Sequence, residues 1–226
     1  MLALVGSGEY LPPMEPVDRQ LIERLDEAPR VVCLPTAAGQ EGEERIAYWS
    51  ELGVRHFSRL GAQVVSLPVI DRSGAQEIRW AERILEANFV YLSGGRPDYL
   101  HRTLKDTPVW QAILAVHQRG GVVAGCSAGA MIMGARLLGF PGLQPAFELI
   151  PGAVIVPHFD EIPAAFVKTV HFFVARDKTV VGIEGNTALV VGETQREVLG
   201  SGGVTIWNHG ERARYTAGQK VAWPND

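Results

Sequence analysis

Short β-branched runs alternate with amphipathic stretches along the first two-thirds of the chain, and this alternation constrains the fold more than any other feature. Leu2–Gly6, Arg30–Pro35, Ala62–Leu67, Asn88–Leu92 and Val122–Ala124 carry apolar residues on both faces. A strand covered by water on one face alternates apolar with polar, whereas one buried on both faces does not. The segments between them, Glu15–Ala28, Glu41–Leu60, Gly74–Ala87 and Pro108–Arg119, carry helical periodicity. In the first of these Val17, Leu21, Ile22 and Leu25 fall on one face and charges on the other. Strand, helix and parallel strand in repetition imply right-handed crossovers and an open sheet with helices on both sides.

From Ala153 onward the spacing shortens. Ala153–Val156, Thr179–Ile183, Thr187–Val191, Glu197–Leu199, Gly203–Trp207 and Lys220–Ala222 read as strands with mostly short links, the last of them an antiparallel extension. The segment Ile162–Ala175 reads as amphipathic. The expected fold is a three-layer α/β domain with a mostly parallel open sheet, flavodoxin-like in architecture, and residues 1–226 form one domain. No composition shift or linker divides the 226 residues.

Charge and cysteine usage exclude several classes of function. The formal charge of −4 and the scatter of Lys and Arg leave no basic patch for nucleic acid. No stretch approaches the roughly 20 apolar residues that cross a bilayer, and the Met1–Val5 run lacks the basic flank of a leader. Cys33 and Cys126 are too few for a disulfide framework, so a cytoplasmic location is expected. No paired His/Cys spacing suggests a metal, and neither a metal nor another cofactor is expected.

The sharpest local signal is Gly125-Cys126-Ser127-Ala128-Gly129, set between the apolar run Gly120–Ala124 and a helix start at Ala128. A Gly-x-Ser-x-Gly match gains meaning in this strand–turn–helix context, where it lifts the serine hydroxyl above the sheet edge. Ser127 is therefore the candidate nucleophile, with the Ala128 N–H positioned for an oxyanion. Cys126 lies off the centre of the motif and should face the sheet as a structural thiol. A second glycine turn, Ser93-Gly94-Gly95-Arg96-Pro97, follows a strand, and the backbone of Gly94 or Gly95 is a candidate second oxyanion donor. Gly6-Ser7-Gly8-Glu9 follows the first strand and should line the same sheet edge.

Among six histidines, His158 alone closes an apolar strand, which brings it to the edge where α/β active sites gather. It is the candidate general base. His56, His101 and His117 read as surface groups on helices, His171 as part of the amphipathic segment and His209 as a turn residue. A catalytic histidine needs a carboxylate to orient it. Spacing leaves Glu184, Asp160, Glu161 and Glu148 equal for that role.

Taken together, Gly125–Ala130, Leu92–Gly95, Pro157-His158-Phe159 and Gly182-Ile183-Glu184-Gly185-Asn186 resemble peptidase family S51, which holds aspartyl dipeptidase and cyanophycinase on a class I glutamine-amidotransferase-like fold. Val5–Glu9 and Leu34–Ala37 also look like strand ends of that family, so the resemblance spans about residues 1–192. It implies a serine peptidase of small peptides, with Ser127 as nucleophile, His158 as base and Glu184 as the triad acid. It places the oxyanion donors on the backbone of Gly95 or its neighbour and of Ala128. The family reads acidic or Asp-Arg substrates with arginines after the histidine. Here that stretch, Asp160–Lys168, is acidic and apolar with one lysine, so an acidic side chain would meet like charge.

Two other readings of the residues stand beside it. One is an α/β-hydrolase esterase, whose triad would run Ser, acid, His along the chain. The other is a non-catalytic binding module on the amidotransferase-like fold. A homodimer stays open.

Overall fold

Successive residues of Leu2–Val5, Val31–Leu34 and Phe89–Leu92 enter two different hydrophobic cores, which is why those runs are apolar at every position. Gln63–Ser66, expected to be buried on both faces, is instead an edge strand, exposed or half-buried. The computed structural model describes residues 1–138, 142–163, 178–208 and 211–223. Strands β1 (Leu2–Val5), β2 (Arg30–Leu34), β3 (Gln63–Ser66), β4 (Phe89–Leu92) and β5 (Val122–Cys126) pair in parallel in the order β3-β2-β4-β5-β1. Leu2, Leu4, Val32, Leu34, Val90, Leu92 and Val123 face one core. Ala3, Val5, Val31, Cys33, Phe89, Tyr91, Ala124 and Cys126 face the other.

The first core is covered by α3 (Arg72–Gln76), α4 (Ile78–Leu85), α5 (Pro97–Leu104), α6 (Pro108–Gln118) and α7 (Ala128–Met131). The second is covered by α1 (Glu15–Ile22) and α2 (Glu43–Arg59), through Val17, Leu21 and Phe57. The result is the three-layer α/β architecture that the strand–helix alternation implies.

The later strands divide between two sheets. β10 (Thr187–Val191) pairs antiparallel with β1, and β11 (Arg196–Gly200) with β10, which completes a seven-stranded central sheet. A six-stranded sheet is built from β6 (Arg136–Leu137), β7 (Gln144–Pro145), β8 (Ala153–Val156), β9 (Thr179–Ile183), β12 (Gly203–Asn208) and β13 (Glu211–Thr216), in the order β13-β12-β9-β8-β6-β7. Its Ile155, Val181, Ile183, Val204 and Ile206 join the helix-covered core, so this sheet packs beside those helices.

Some expectations are corrected. The helix expected over Gly74–Ala87 is two, because Glu77 takes an extended conformation (φ −73°, ψ 119°) between α3 and α4. Helix α5, opened by Pro97 at its first turn, was hidden behind the glycine turn that precedes it. Lys220 makes only an isolated bridge to Glu197, and the last strand is β13 instead. The amphipathic segment, His171 and His209 fall wholly or mainly outside the described residues.

Nor is His56 a surface group. It is fully buried, and its Nε2 lies 2.8 Å from Oδ2 of the equally buried Asp18, which ties α2 to α1. Burial pushes the Asp18 carboxyl up, against the opposing pull of the His56 hydrogen bond. His101 is also buried and packs on the Phe147 ring, 4.6 Å between centroids. Helical periodicity ranks apolar residues well, but it does not separate a buried polar side chain from an exposed one. No helix among the described residues is long and apolar enough to cross a membrane.

Candidate active site

Strand β5 ends at Cys126 and α7 begins at Ala128, so one residue carries the whole reversal. Ser127 adopts φ 48° and ψ −107°, a sparsely populated conformation that costs a non-glycine residue of order 1–3 kcal/mol. Its flanking glycines allow the turn to close. A Cβ on Gly125 would lie 2.4 Å from the Gly129 carbonyl carbon, and one on Gly129 would lie 2.4 Å from the Leu92 oxygen. Backbone therefore packs on backbone where any other residue would collide. The Ser127 N–H donates to the Val5 carbonyl (3.0 Å), which joins the turn to the end of β1.

His158 reaches the same place from β8. It too holds a positive φ, 52°. The Phe159 N–H donates to the Ile183 carbonyl (3.0 Å), fixing the residue after it against β9. Its Nε2 lies 3.2 Å from Ser127 Oγ, a distance at which a proton can pass between them. The two side chains open on a cleft of about 290 Å³ lined also by Ser7, Gly8, Glu9, Leu11, Tyr48, Trp49, Gly94 and Gly95. Every strand that contributes is one whose carboxyl end meets this edge, except that α2 supplies Tyr48 and Trp49.

The glycine turn after β4 borders the cleft, but its two amides differ. The Gly94 N–H donates to Glu9 Oε1 (2.9 Å) and is not available to a substrate. That removes Gly94 from the candidate oxyanion donors. The N–H groups of Gly95 and Ala128 have no acceptor among the described residues. Cys126 points under the sheet edge, buried, and its Sγ–H donates to Glu9 Oε2 (2.8 Å). Burial first, and the Glu9 charge second, push the thiol far above its ordinary value, so it remains a protonated donor.

Glu184 is not joined to His158, which corrects the expected third member. Its carboxylate accepts two bonds from the Arg214 guanidinium (2.6 and 2.7 Å) and one from the Gly203 N–H (2.8 Å). Following β9, the side chain is directed to β12 and β13, where a bidentate arginine holds it. The Arg214 guanidinium keeps the Glu184 carboxyl below the usual carboxylate range. A depressed carboxyl adds stability above its unfolded pKa, and that contribution disappears as acid titrates it through the folded value. Asp160 instead accepts from the Gly185 N–H (2.8 Å), tying the loop after His158 to the end of β9. The carboxylate facing His158 Nδ1 is Glu161, at 3.5 Å on a side chain 66% exposed. Glu148 is exposed in the loop before β8.

Glu184→Gln is therefore expected to reduce kcat/KM by no more than about tenfold, against the roughly 10⁴-fold loss that follows removal of an orienting triad acid. Steady-state kinetics with a reporter substrate decide it. A loss near 10⁴ would mean that Glu184 leaves Arg214 for His158 during turnover.

The Gly6-Ser7-Gly8-Glu9 loop lines this edge as its place after β1 implies, with Ser7, Gly8 and Glu9 on the cleft. Sequence reasoning gave Glu9 no part beyond that lining, and it missed Leu11, Tyr48 and Trp49, the last two an aromatic pair on a long helix. Among the described residues no three His, Cys, Asp or Glu side chains converge as a metal site.

Comparison with known proteins places the whole chain in a family. A cyanophycinase from Geminocystis herdmanii (strain PCC 6308) is 25% identical over 208 residues, 85% of this chain and 74% of the relative. The crystal structure of a peptidase from an acI-B1 Actinobacterium is 36% identical with a TM-score of 0.90, covering 98% of this chain and 96% of that one. A putative peptidase E protein from Listeria monocytogenes EGD-e shares the fold, at 20% identity and a TM-score of 0.65 over 88% of this chain and 98% of its own. The family model of peptidase family S51 matches residues 2–199, a span that runs from β1 to β11 and encloses every residue lining the cleft. The chain belongs to peptidase family S51.

Proposed function

We propose that this peptidase is of the serine type and hydrolyses small peptides, with Ser127 as nucleophile and His158 as general base. The observation that carries the reading is the 3.2 Å approach of His158 Nε2 to the hydroxyl of a serine held in a strained strand-to-helix turn. As Ser127 Oγ attacks the scissile carbonyl carbon, its proton passes to His158 Nε2. The carbonyl oxygen becomes an oxyanion, for which the unengaged N–H groups of Gly95 and Ala128 are the donors. His158 then gives the proton to the leaving amine, and an acyl-enzyme remains on Ser127. Water, deprotonated by His158, attacks that ester and frees the serine.

The size and lining of the cleft support a small substrate with an apolar side chain. About 290 Å³ lies at the lower limit of pockets that bury small molecules. Leu11 and Tyr48, two of the few large apolar side chains left exposed, stand on this cleft beside Trp49. Of Asp, Glu, His, Lys and Arg, its lining holds Glu9 and His158 among the described residues. An acidic side chain meets no described cation there.

A panel of dipeptides and tripeptides carrying apolar, acidic or basic side chains, run beside short esters, tests this. Apolar dipeptides should give the highest kcat/KM. Hydrolysis of acidic peptides alone would overturn the substrate class, and hydrolysis of esters with no peptide cleaved would overturn the small-peptide reading.

A further inference from the structure

We propose that Glu9 is the positioning residue of the oxyanion hole, one buried carboxylate that clamps the Gly94–Gly95 turn to the Cys126–Ser127 turn. The inference rests on Ser127 being the nucleophile, and it concerns a residue outside the reacting pair.

The geometry is specific to this task. Glu9 is 6% exposed, and each of its oxygens accepts from a different turn. Oε1 takes the Gly94 N–H at 2.9 Å, and Oε2 takes the Cys126 Sγ–H at 2.8 Å. Gly94 immediately precedes the Gly95 donor, and Cys126 immediately precedes the nucleophile. A Cβ on Gly94 would lie 2.7 Å from Glu9 Oε1 and 3.5 Å from the Ser127 Cβ, so this side of the turn faces both the carboxylate and the nucleophile and leaves no room for a side chain between them. The other side of the turn is wedged. A Cβ on Gly95 would lie 2.6 Å from the Ala37 backbone, and the Arg96 N–H donates to the Ala37 carbonyl (3.0 Å). The Gly95 amide is thus held between the Ala37 backbone and Glu9, with φ 143°. Bonds to an ionised acceptor are short and directional, which suits them to fixing a loop.

What the site gains from Glu9 is reach rather than charge. Glu9 forms no ion pair among the described residues. A carboxylate this near a developing oxyanion opposes it, so the charge itself works against the reaction. Glutamine at this position spans the same two turns, with an oxygen for the Gly94 N–H and an amide group facing the Cys126 sulfur. Aspartate keeps the charge and is one methylene too short to meet both.

The test uses the full chain and the second-order rate of labelling by a fluorophosphonate, whose phosphoryl oxygen occupies the same hole as the oxyanion. Glu9→Asp and Glu9→Ala should slow labelling about 100-fold, the scale of losing one oxyanion donor. Peptide hydrolysis should lose kcat by a similar factor with KM little changed, as expected for an interaction made only in the transition state. Glu9→Gln should recover most of that loss. Labelling by Glu9→Asp at the unaltered rate would overturn the proposal. So would a Glu9→Gln as slow as Glu9→Asp with a raised KM, since the charge would then be binding a substrate cation such as an N-terminal ammonium. If Glu9→Ala fails to fold, the glutamine and aspartate variants decide alone, and equal rates in the two count against the clamp. An unaltered protein that takes no label fails the nucleophile reading itself, and the clamp with it.

Discussion

Ser127→Ala is expected to lower peptide turnover by roughly 10⁶-fold, the scale on which serine peptidases respond to loss of the nucleophile. The reason is covalent. Without Oγ no acyl-enzyme forms, and what remains is the contribution of the oxyanion donors and of substrate binding. Folding should survive, because among the described residues the Ser127 hydroxyl is engaged only with His158, while the backbone of the turn is held by Val5 and Met131. A β-carbon is already present in the strained conformation, so alanine adds no new collision. Cys126→Ser offers the matching control. It keeps a donor for Glu9 Oε2 and removes the thiol, so activity should stay within about tenfold of the unaltered protein. Turnover that survives Ser127→Ala and disappears with Cys126→Ser would exchange the two assignments.

His158→Ala should produce the second large loss, also roughly 10⁶-fold. Without a base 3.2 Å from Oγ, the hydroxyl proton has nowhere to go in the attack step. Covalent labelling separates this role from a structural one: His158→Ala should stay folded by circular dichroism and lose fluorophosphonate labelling along with turnover. A folded variant that keeps near-normal turnover and labelling would remove His158 from the reaction. Glu161→Gln should matter little by comparison, since an exposed carboxylate at 3.5 Å holds the imidazole weakly.

Much of this architecture was legible in the residues, for a physical reason. Strands buried on both faces cannot alternate, and Leu2–Val5, Val31–Leu34 and Phe89–Leu92 therefore announced a covered sheet. The tight turn at Ser127 was legible because steric demand falls on Gly125 and Gly129, where the backbone of one element rests on another. The approach of His158 to the same edge was legible because an apolar strand ends just before it.

What stayed hidden depends on contacts between distant segments. Whether Glu184 turns towards His158 or towards β12 and β13 is decided by Arg214, 30 residues further on. Nothing in Gly182–Asn186 contains that information. Asp18 and His56 form a buried pair across 38 residues, so neither helix alone revealed it. Glu9 lies 85 residues from Gly94 and 117 from Cys126, and its part in the site exists only once three strand ends meet.

The central claim is that Ser127 is the residue that forms the covalent bond. Treating the full chain with a fluorophosphonate, digesting it and locating the adduct by mass spectrometry tests this most directly. The account predicts one adduct, on the peptide containing Ser127, absent from Ser127→Ala. An adduct on Ser7 or Cys126 that persists in Ser127→Ala would contradict it.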